Sequence, residues 1–234
     1  MSIQTFLEDL NTGNLTKYNA AELQGYEAEL TALTLKSYDN FAESYLKTVH
    51  TEDLTLIKHQ EMETFTAKLP EGAHVLILAA GSGDEITFFK DKGFTVEAIE
   101  PSAAFAQHLK GHQVTHGTLT DLSAFNDSSF DAAFCHAGIL HLPDVKGHNI
   151  GAEKAFSEVS RTLKSKGYLF QQVRAGSGAY IQKETGRFFQ LYSEDRLKEL
   201  GESHGLKTVL ASHIYKAPLP ESFKEWISIT YQKV

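Results

Sequence analysis

The chain has 234 residues, a length suited to one large domain or to a domain with a modest extension. Hydrophobic residues make up 41% and charged residues 22%, an ordinary globular balance that excludes a disordered or collagen-like chain. The formal charge of −8 argues against a nucleic-acid partner, which needs a basic footprint. The longest apolar run, Val75 to Ala80, is far below the roughly 20 residues that span a bilayer, so no membrane association is expected. No charged-then-apolar leader opens the chain, and the single cysteine, Cys135, fits a reducing compartment; a cytoplasmic protein is expected.

Residues up to about Thr66 read as helical. Leu23, Tyr26, Leu30 and Leu33 form a stripe along Ala21 to Lys36, and Phe41, Tyr45 and Leu46 continue it from Tyr38 to Val49. The pattern changes at Pro70-Glu71-Gly72. Val75 to Ala79 reads as a strand covered on both faces, followed at once by Gly81-Ser82-Gly83. Asp84 to Lys92 reads as a helix ended by Gly93, and Phe94 to Ile99 as a second strand. Ser102 can cap a helix running to Leu109.

The alternation continues with a strand at Phe130 to Cys135, a helix at Gly151 to Lys164 and a strand at Tyr168 to Val173. Ser193 opens a helix carrying Leu197 and Leu200, with Gly205 placed to end it. Leu206 to Ser212 and Trp226 to Tyr231 form the last two strands, and their short link predicts an antiparallel pair. The whole predicts an α/β protein: a mostly parallel sheet with helices on both faces and ligands at the carboxyl ends of the strands.

The turn Ala79-Ala80-Gly81-Ser82-Gly83 lets backbone N–H groups approach a ligand at a helix N-terminus. Glu100 closes the second strand, 21 residues beyond Ala79, where a carboxylate can accept both hydroxyl protons of a ribose. A dinucleotide fingerprint does not fit. If Gly81 and Gly83 are its first two glycines, the third falls on Ile86; if Ala79 and Gly81 are, it falls on Asp84. His108, His112 and His116 recur every four residues, but Gly111 and Gly117 break the helix that would align them, so no metal is expected.

These features resemble the class I S-adenosylmethionine-dependent methyltransferases. The first strand and turn are similar to that family's V-L-D-L-G-x-G-T-G, and Ala98-Ile99-Glu100-Pro101-Ser102 to its acid after strand two. Ser129-Phe130-Asp131, Leu140-His141-Leu142-Pro143 and Arg161 to Gly167 resemble its later segments. Gly186-Arg187-Phe188-Phe189 with Tyr192-Ser193 resembles a stretch of many small bacterial members. The departures are Ile77 for the usual acid, Ala79 for the first glycine, Thr118 for an acid after strand three, and Ser165-Lys166 for Pro-Gly.

The resemblance implies a Rossmann-like fold: a seven-stranded, mostly parallel sheet with its last strand antiparallel. It implies an N-terminal helical lid over residues 1–66 and a methyltransferase domain over 67–234. It implies S-adenosylmethionine as cofactor and S-adenosylhomocysteine as product. Glu100 would hold the ribose, Ala79, Ala80, Gly81 and Gly83 the methionine end, and Thr118 and Leu119 the adenine, with Pro101 also in the cofactor site. Tyr38 and Tyr45 would close over the cofactor. Cys135 and His136 would lie beside the sulfonium and the acceptor. His141 is the expected general base because imidazole titrates near neutrality, with His136 the lesser candidate. Arg174, Tyr180, Arg187 and Tyr192 would build the acceptor pocket, with Arg187 on a substrate carboxylate or in a surface ion pair. The expected activity is methyl transfer to a small-molecule O, N or C acceptor by a monomer or homodimer. A non-catalytic cofactor-binding relative and an RNA- or protein-directed enzyme are the alternatives.

Overall fold

A computed structural model describes residues 1–48, 52–215 and 225–234. Three helices come first: α1 (Ile3–Thr12), α2 (Ala20–Thr48) and α3 (Glu52–Thr66). The two stretches expected from Ala21 to Val49 are one continuous helix; Val49 lies outside the described residues. Its start is a reciprocal cap. Asn19 Oδ1 accepts the Glu22 N–H at 3.0 Å, and Glu22 Oε2 accepts the Asn19 N–H at 2.9 Å.

The alternating unit follows as β1 (His74–Leu78), α4 (Asp84–Asp91), β2 (Thr95–Glu100), α5 (Ala103–His108), β3 (Val114–His116) and β4 (Phe130–His136). Then come a 3-10 turn (Ile139–His141), α6 (Gly151–Thr162), β5 (Leu163–Arg174), β6 (Ala179–Ile181), β7 (Phe188–Gln190), α7 (Glu194–Glu202), β8 (Leu206–Tyr215) and β9 (Glu225–Lys233). Ser102 and Ser193 cap α5 and α7, each accepting a backbone N–H at 3.2 Å.

Seven strands form one sheet in the order β3-β2-β1-β4-β5-β9-β8. Neighbours from β3 to β5 pair in parallel, and β9 runs antiparallel to both β5 and β8. The period of two divides the strands between two apolar layers. Val75, Ile77, Ala132, Phe134 and Phe170 meet Met62 and Phe65 of α3 and Phe88 and Phe89 of α4. Leu76, Leu78, Ala133, Cys135 and Leu169 meet Phe156 and Val159 of α6 and Leu197 and Leu200 of α7. Ile77 therefore belongs to a closed apolar layer, where the acid usual in the resembling family would need a polar partner.

A third cluster joins α1 and the first half of α2 to the β6–β7 hairpin through Phe6, Leu23, Leu30, Ala179 and Phe188. That hairpin has no counterpart among the elements expected from sequence. Strand order reverses between β1 and β4, which puts the crevice for a ligand at their carboxyl ends. Among the described residues no helix is long and apolar enough to cross a membrane.

Candidate active site

The crevice holds a cavity of about 760 Å3 between the carboxyl ends of β1, β2 and β4 and the overlying α2. Its centre is built by the turn after β1. Ala79 takes the left-handed backbone conformation at φ 56°, and Gly83 takes it at φ 85° where α4 begins. A side chain at Gly83 would sit 2.4 Å from Leu109 Cδ2, so the residue is fixed by packing as well as by conformation. The turn aims the Gly81 N–H at Glu100 Oε2, 2.8 Å away. The other oxygen, Oε1, accepts the Ser102 N–H at 2.7 Å.

Glu100 is only 3% exposed yet lines the cavity. Burial raises its pKa, and the two backbone N–H groups oppose that rise. An ionised carboxylate carries about four lone-pair sites. Two are taken by the backbone on either side, so the carboxylate is held rigid with acceptor capacity left for a ligand diol.

The roof is one face of α2. Thr31, Thr34, Tyr38 and Tyr45 all line the cavity, at spacings of three, four and seven residues. The Phe188 N–H donates to Thr34 Oγ1 at 3.0 Å. Asp39 Oδ1 accepts from Ser102 Oγ at 2.6 Å and from the Ala104 N–H at 3.1 Å, which ties the helix to α5. Tyr38 is the hub. Its hydroxyl lies 2.8 Å from His141 Nε2, and Arg187 Nη1 donates to it at 3.3 Å. His141 Nδ1 lies 2.7 Å from the Phe188 carbonyl.

The proton positions in this chain are determined. A carbonyl only accepts, so His141 Nδ1 carries the hydrogen and Nε2 the lone pair, which takes the Tyr38 proton. The Tyr38 oxygen is then open to the Arg187 donor. Burial holds the His141 imidazole down at about 3. The expectation that His141 titrates near neutrality as a general base is therefore corrected: it is a neutral structural acceptor with both ring nitrogens engaged.

Other expected site residues divide in two. Tyr38, Tyr45, Ala79, Ala80, Gly81, Glu100, Pro101, Thr118, Leu119, His136 and His141 all border the cavity. Cys135 does not: its side chain is fully buried in the layer beneath α6, where burial pushes the thiol up to about 11. Gly83 shapes the turn from behind. Arg174, Tyr180, Arg187 and Tyr192 do not border the cavity either, which corrects their placing around an acceptor. Tyr192 is 1% exposed and packs in the core. Tyr180 stacks on Phe189 at 5.5 Å and accepts from Arg174 Nη1 at 3.0 Å. Arg187 lies over the rings of Tyr38, Phe41 and Phe189, so it braces the roof instead of facing a carboxylate.

Sequence reasoning missed Thr31, Thr34, Lys58, Glu85, Gly138 and Trp226, which also line the cavity. Lys58 of α3 pairs with Glu85 Oε1 at 2.8 Å and Asp84 Oδ2 at 3.3 Å. Burial pulls the Lys58 pKa down, but those two carboxylates outweigh it and the net direction is up. Gly138 backs the turn after β1; a side chain there would lie 2.8 Å from Cys135 Sγ and 3.0 Å from Ala79 Cβ. Among the described residues no three His, Cys, Asp or Glu side chains are grouped to hold a metal.

The family described as "Methyltransferase domain" matches residues 76–171, from β1 into β5. No curated protein matches the chain in sequence. Among solved structures, the fold is similar to a Burkholderia thailandensis 1,6-didemethyltoxoflavin-N1-methyltransferase with bound 1,6-didemethyltoxoflavin and S-adenosylhomocysteine. The TM-score is 0.70 at 18% identity, covering 89% of this chain and 90% of that one. A Methanosarcina mazei SAM-dependent methyltransferase is similar at TM-score 0.62 and 20% identity, covering 73% and 97%. A Haloferax volcanii putative methyltransferase in complex with the Trm112 activator is similar at TM-score 0.64 and 16% identity, covering 84% and 98%. The matched domain lies on this sheet and its turn, and the fold around it is similar to that of these S-adenosylmethionine-dependent methyltransferases.

Proposed function

We propose that the protein transfers the methyl group of S-adenosylmethionine to a small-molecule O, N or C acceptor. The observation that carries the reading is Glu100, buried, pinned by the Gly81 and Ser102 N–H groups, and bordering a cavity roofed by α2. Its remaining lone pairs suit the two ribose hydroxyls. On this reading Gly81, Ala79 and Ala80 offer backbone to the methionine end and Thr118 and Leu119 flank the adenine; all five, with Pro101, line the cavity. The cofactor supplies an electrophilic methyl when bound. The chain's part is to bind, to orient and to exclude water, and holding an acceptor about 3 Å from the methyl carbon accounts for much of such a rate enhancement.

The small-molecule reading is supported by the charge of the cavity wall. Glu63, Asp84, Glu85, Asp91 and Glu100 face two lysines, Lys58 and Lys92. A polyanionic RNA needs the opposite balance. The similar Burkholderia enzyme, a 1,6-didemethyltoxoflavin-N1-methyltransferase, has a similar fold over 90% of its length.

The test is a label-transfer screen. The protein is incubated with methyl-tritiated S-adenosylmethionine and, separately, a metabolite extract, total RNA and a protein extract. Label in the low-molecular-weight fraction is expected. Label confined to RNA or protein overturns the small-molecule reading. Tight S-adenosylhomocysteine binding with no label anywhere overturns catalysis.

A further inference from the structure

The two ends of the cavity differ in charge. At the α3–α4 end the lining charges pair with one another: Lys58 with Glu85 and Asp84, and Lys92 with Glu63 at 2.6 Å. The opposite end is lined by Thr31, Thr34, Tyr38, His141, Leu142 and Trp226, none of them a carboxylate or an ammonium. Strand β7 gathers these residues. The Phe188 N–H reaches Thr34, the Phe188 carbonyl meets His141, and the Phe189 ring lies 4.8 Å from the His141 ring. His141 is neutral and both its nitrogens are engaged, so it brings neither a charge nor a free lone pair.

Two guanidinium groups stand behind this uncharged end. Arg187 lies 5.2 Å from the centre of the Tyr38 ring, and Arg174 lies 5.5 Å from that of Trp226. The two rings border the cavity and the two guanidiniums do not. Arg187 is half-buried and donates to Tyr38, Thr185 and Gln182, all of them neutral. Among the described residues no carboxylate pairs with it. A half-buried cation with neutral partners keeps its field. A cation against one face of an aromatic ring also draws on the electron density of that ring. Such a wall is a poor seat for an ammonium group and a good one for an electron-rich ring or an anion.

We propose that this end takes the acceptor, that the acceptor is an aromatic or heteroaromatic ring carrying an acidic O–H or N–H, and that it is methylated as its anion, stabilised by Arg187 from behind Tyr38. The inference rests on the proposed methyl transfer and narrows its substrate class.

The step balances without a protein base. The acceptor's proton leaves to water. The lone pair of the resulting anion forms the bond to the methyl carbon, and the carbon–sulfur bond breaks with its electron pair left on sulfur. The positive sulfonium and the negative ring are consumed together, giving a thioether and a methylated ring. Other ionisable groups around the cavity are placed for other tasks. Glu100 of β2 is held by the backbone, and burial raises the pKa of Tyr45 on the roof. Arg174 of β5 donates to Tyr180 and lies over Phe189. His136, at the end of β4, lies 3.9 Å from Glu61 Oε2.

The test begins with p-nitrophenol, whose anion absorbs in the visible, added to the full chain saturated with S-adenosylhomocysteine. Absorbance against pH reads the ionisation of the bound probe, which should lie about one pH unit below that of the free probe. Arg187→Lys keeps the charge and should keep the shift, whereas Arg187→Met, checked by circular dichroism, should abolish it. Label transfer is then measured across phenols and heteroaromatic N–H compounds of graded acidity. The acid limb of kcat/KM should follow each acceptor's own pKa. A limb at one fixed pH for all acceptors points to a protein base, His136 foremost, and overturns the proposal. An unshifted probe, a shift retained in Arg187→Met, a preference for aliphatic amines, or no binding by any ring compound overturns it as well. If Arg187→Met does not fold, the wild-type probe titration and the acid limbs decide alone. Calorimetry with S-adenosylhomocysteine keeps the two readings apart. Failure of wild type to bind sinks methyl transfer itself, whereas normal binding with any of the overturning results sinks only the acceptor class.

Discussion

Replacing Glu100 with alanine tests the cofactor site directly. The carboxylate offers a ribose two charge-assisted hydrogen bonds, each about 1.5–3 kcal/mol. Their joint loss of about 3–6 kcal/mol corresponds to a roughly 10²- to 10⁴-fold rise in Kd for S-adenosylhomocysteine. The substitution also removes the acceptor of the Gly81 and Ser102 N–H groups. Gly81 lines the cavity, where water can enter the space left by the side chain, so the fold should survive the loss at the buried Ser102 N–H. The assay is isothermal calorimetry on protein whose circular dichroism matches wild type. The pH dependence has a fixed sign. Burial raises the Glu100 pKa, and only the ionised form accepts both hydroxyls, so wild-type affinity should fall as pH drops through that raised value. An affinity within about threefold of wild type in the folded Glu100→Ala variant would refute the assignment of the diol to this carboxylate.

Three further outcomes are expected. His141 is held neutral in the fold, while an unfolded imidazole protonates below 6.5; stability present above that pH is lost as pH falls toward about 3, by up to about 1.4 kcal/mol per pH unit. His141→Asn, which keeps an N–H to reach the Phe188 carbonyl, should flatten the urea midpoint below pH 6.5, and a slope equal to wild type would refute the buried neutral state. Ala79 and Lys166 both adopt left-handed backbone at φ 56° and 65°. Ala79→Gly and Lys166→Gly should each stabilise by about 1 kcal/mol, raising Tm by roughly 2–4 °C in a scanning melt, and a fall in Tm counts against strain there. Asp39→Ala unties α2 from α5 by removing the acceptor of Ser102 Oγ and the Ala104 N–H. A loss of about 1–2 kcal/mol there should speed S-adenosylhomocysteine dissociation about tenfold in stopped flow, and an unchanged rate argues that α2 is not the roof that must open.

The sheet was legible because its signals are local. Val75 to Ala79 is a continuous apolar run, Ser102 and Ser193 are capping residues, and the short link before Trp226 suits an antiparallel partner. Glu100 could be found because a turn and a strand of fixed length place it. Side-chain direction was less accessible. Cys135 and His136 are adjacent, but the pleat sends one into the core beneath α6 and the other to the cavity wall. The β6–β7 hairpin, three residues on each side, is too short for its alternation to stand out from a loop. Because it went unseen, Arg174, Tyr180, Arg187 and Tyr192 were placed around an acceptor, whereas the hairpin folds them against Phe189 and the core. His141 shows the same gap: its type suggests a base, but the Phe188 carbonyl that fixes its tautomer lies 47 residues away. The polar face of α2 was hidden differently. Thr31 and Thr34 lie on the same helix as the Leu23–Leu30 stripe, and polar residues on a helix read as solvent-facing until a cavity is placed beneath them.

The bonds of α2 also decide how the cavity can exchange its contents. Thr34, Tyr38 and Asp39 lie within two turns, and each is tied to a different element: β7, the 3-10 turn and α5. Lifting the helix would strip the buried Phe188 N–H of its acceptor and His141 Nε2 of its donor together. Orphaning a buried polar group costs about 1–3 kcal/mol each. A gradual peeling of α2 would meet that cost before any compensating hydration, so these turns should release as a unit. The hairpin then has a purpose that its distance from the cavity conceals: Arg187 and Phe188, which border no part of the cavity, hold the residues that do.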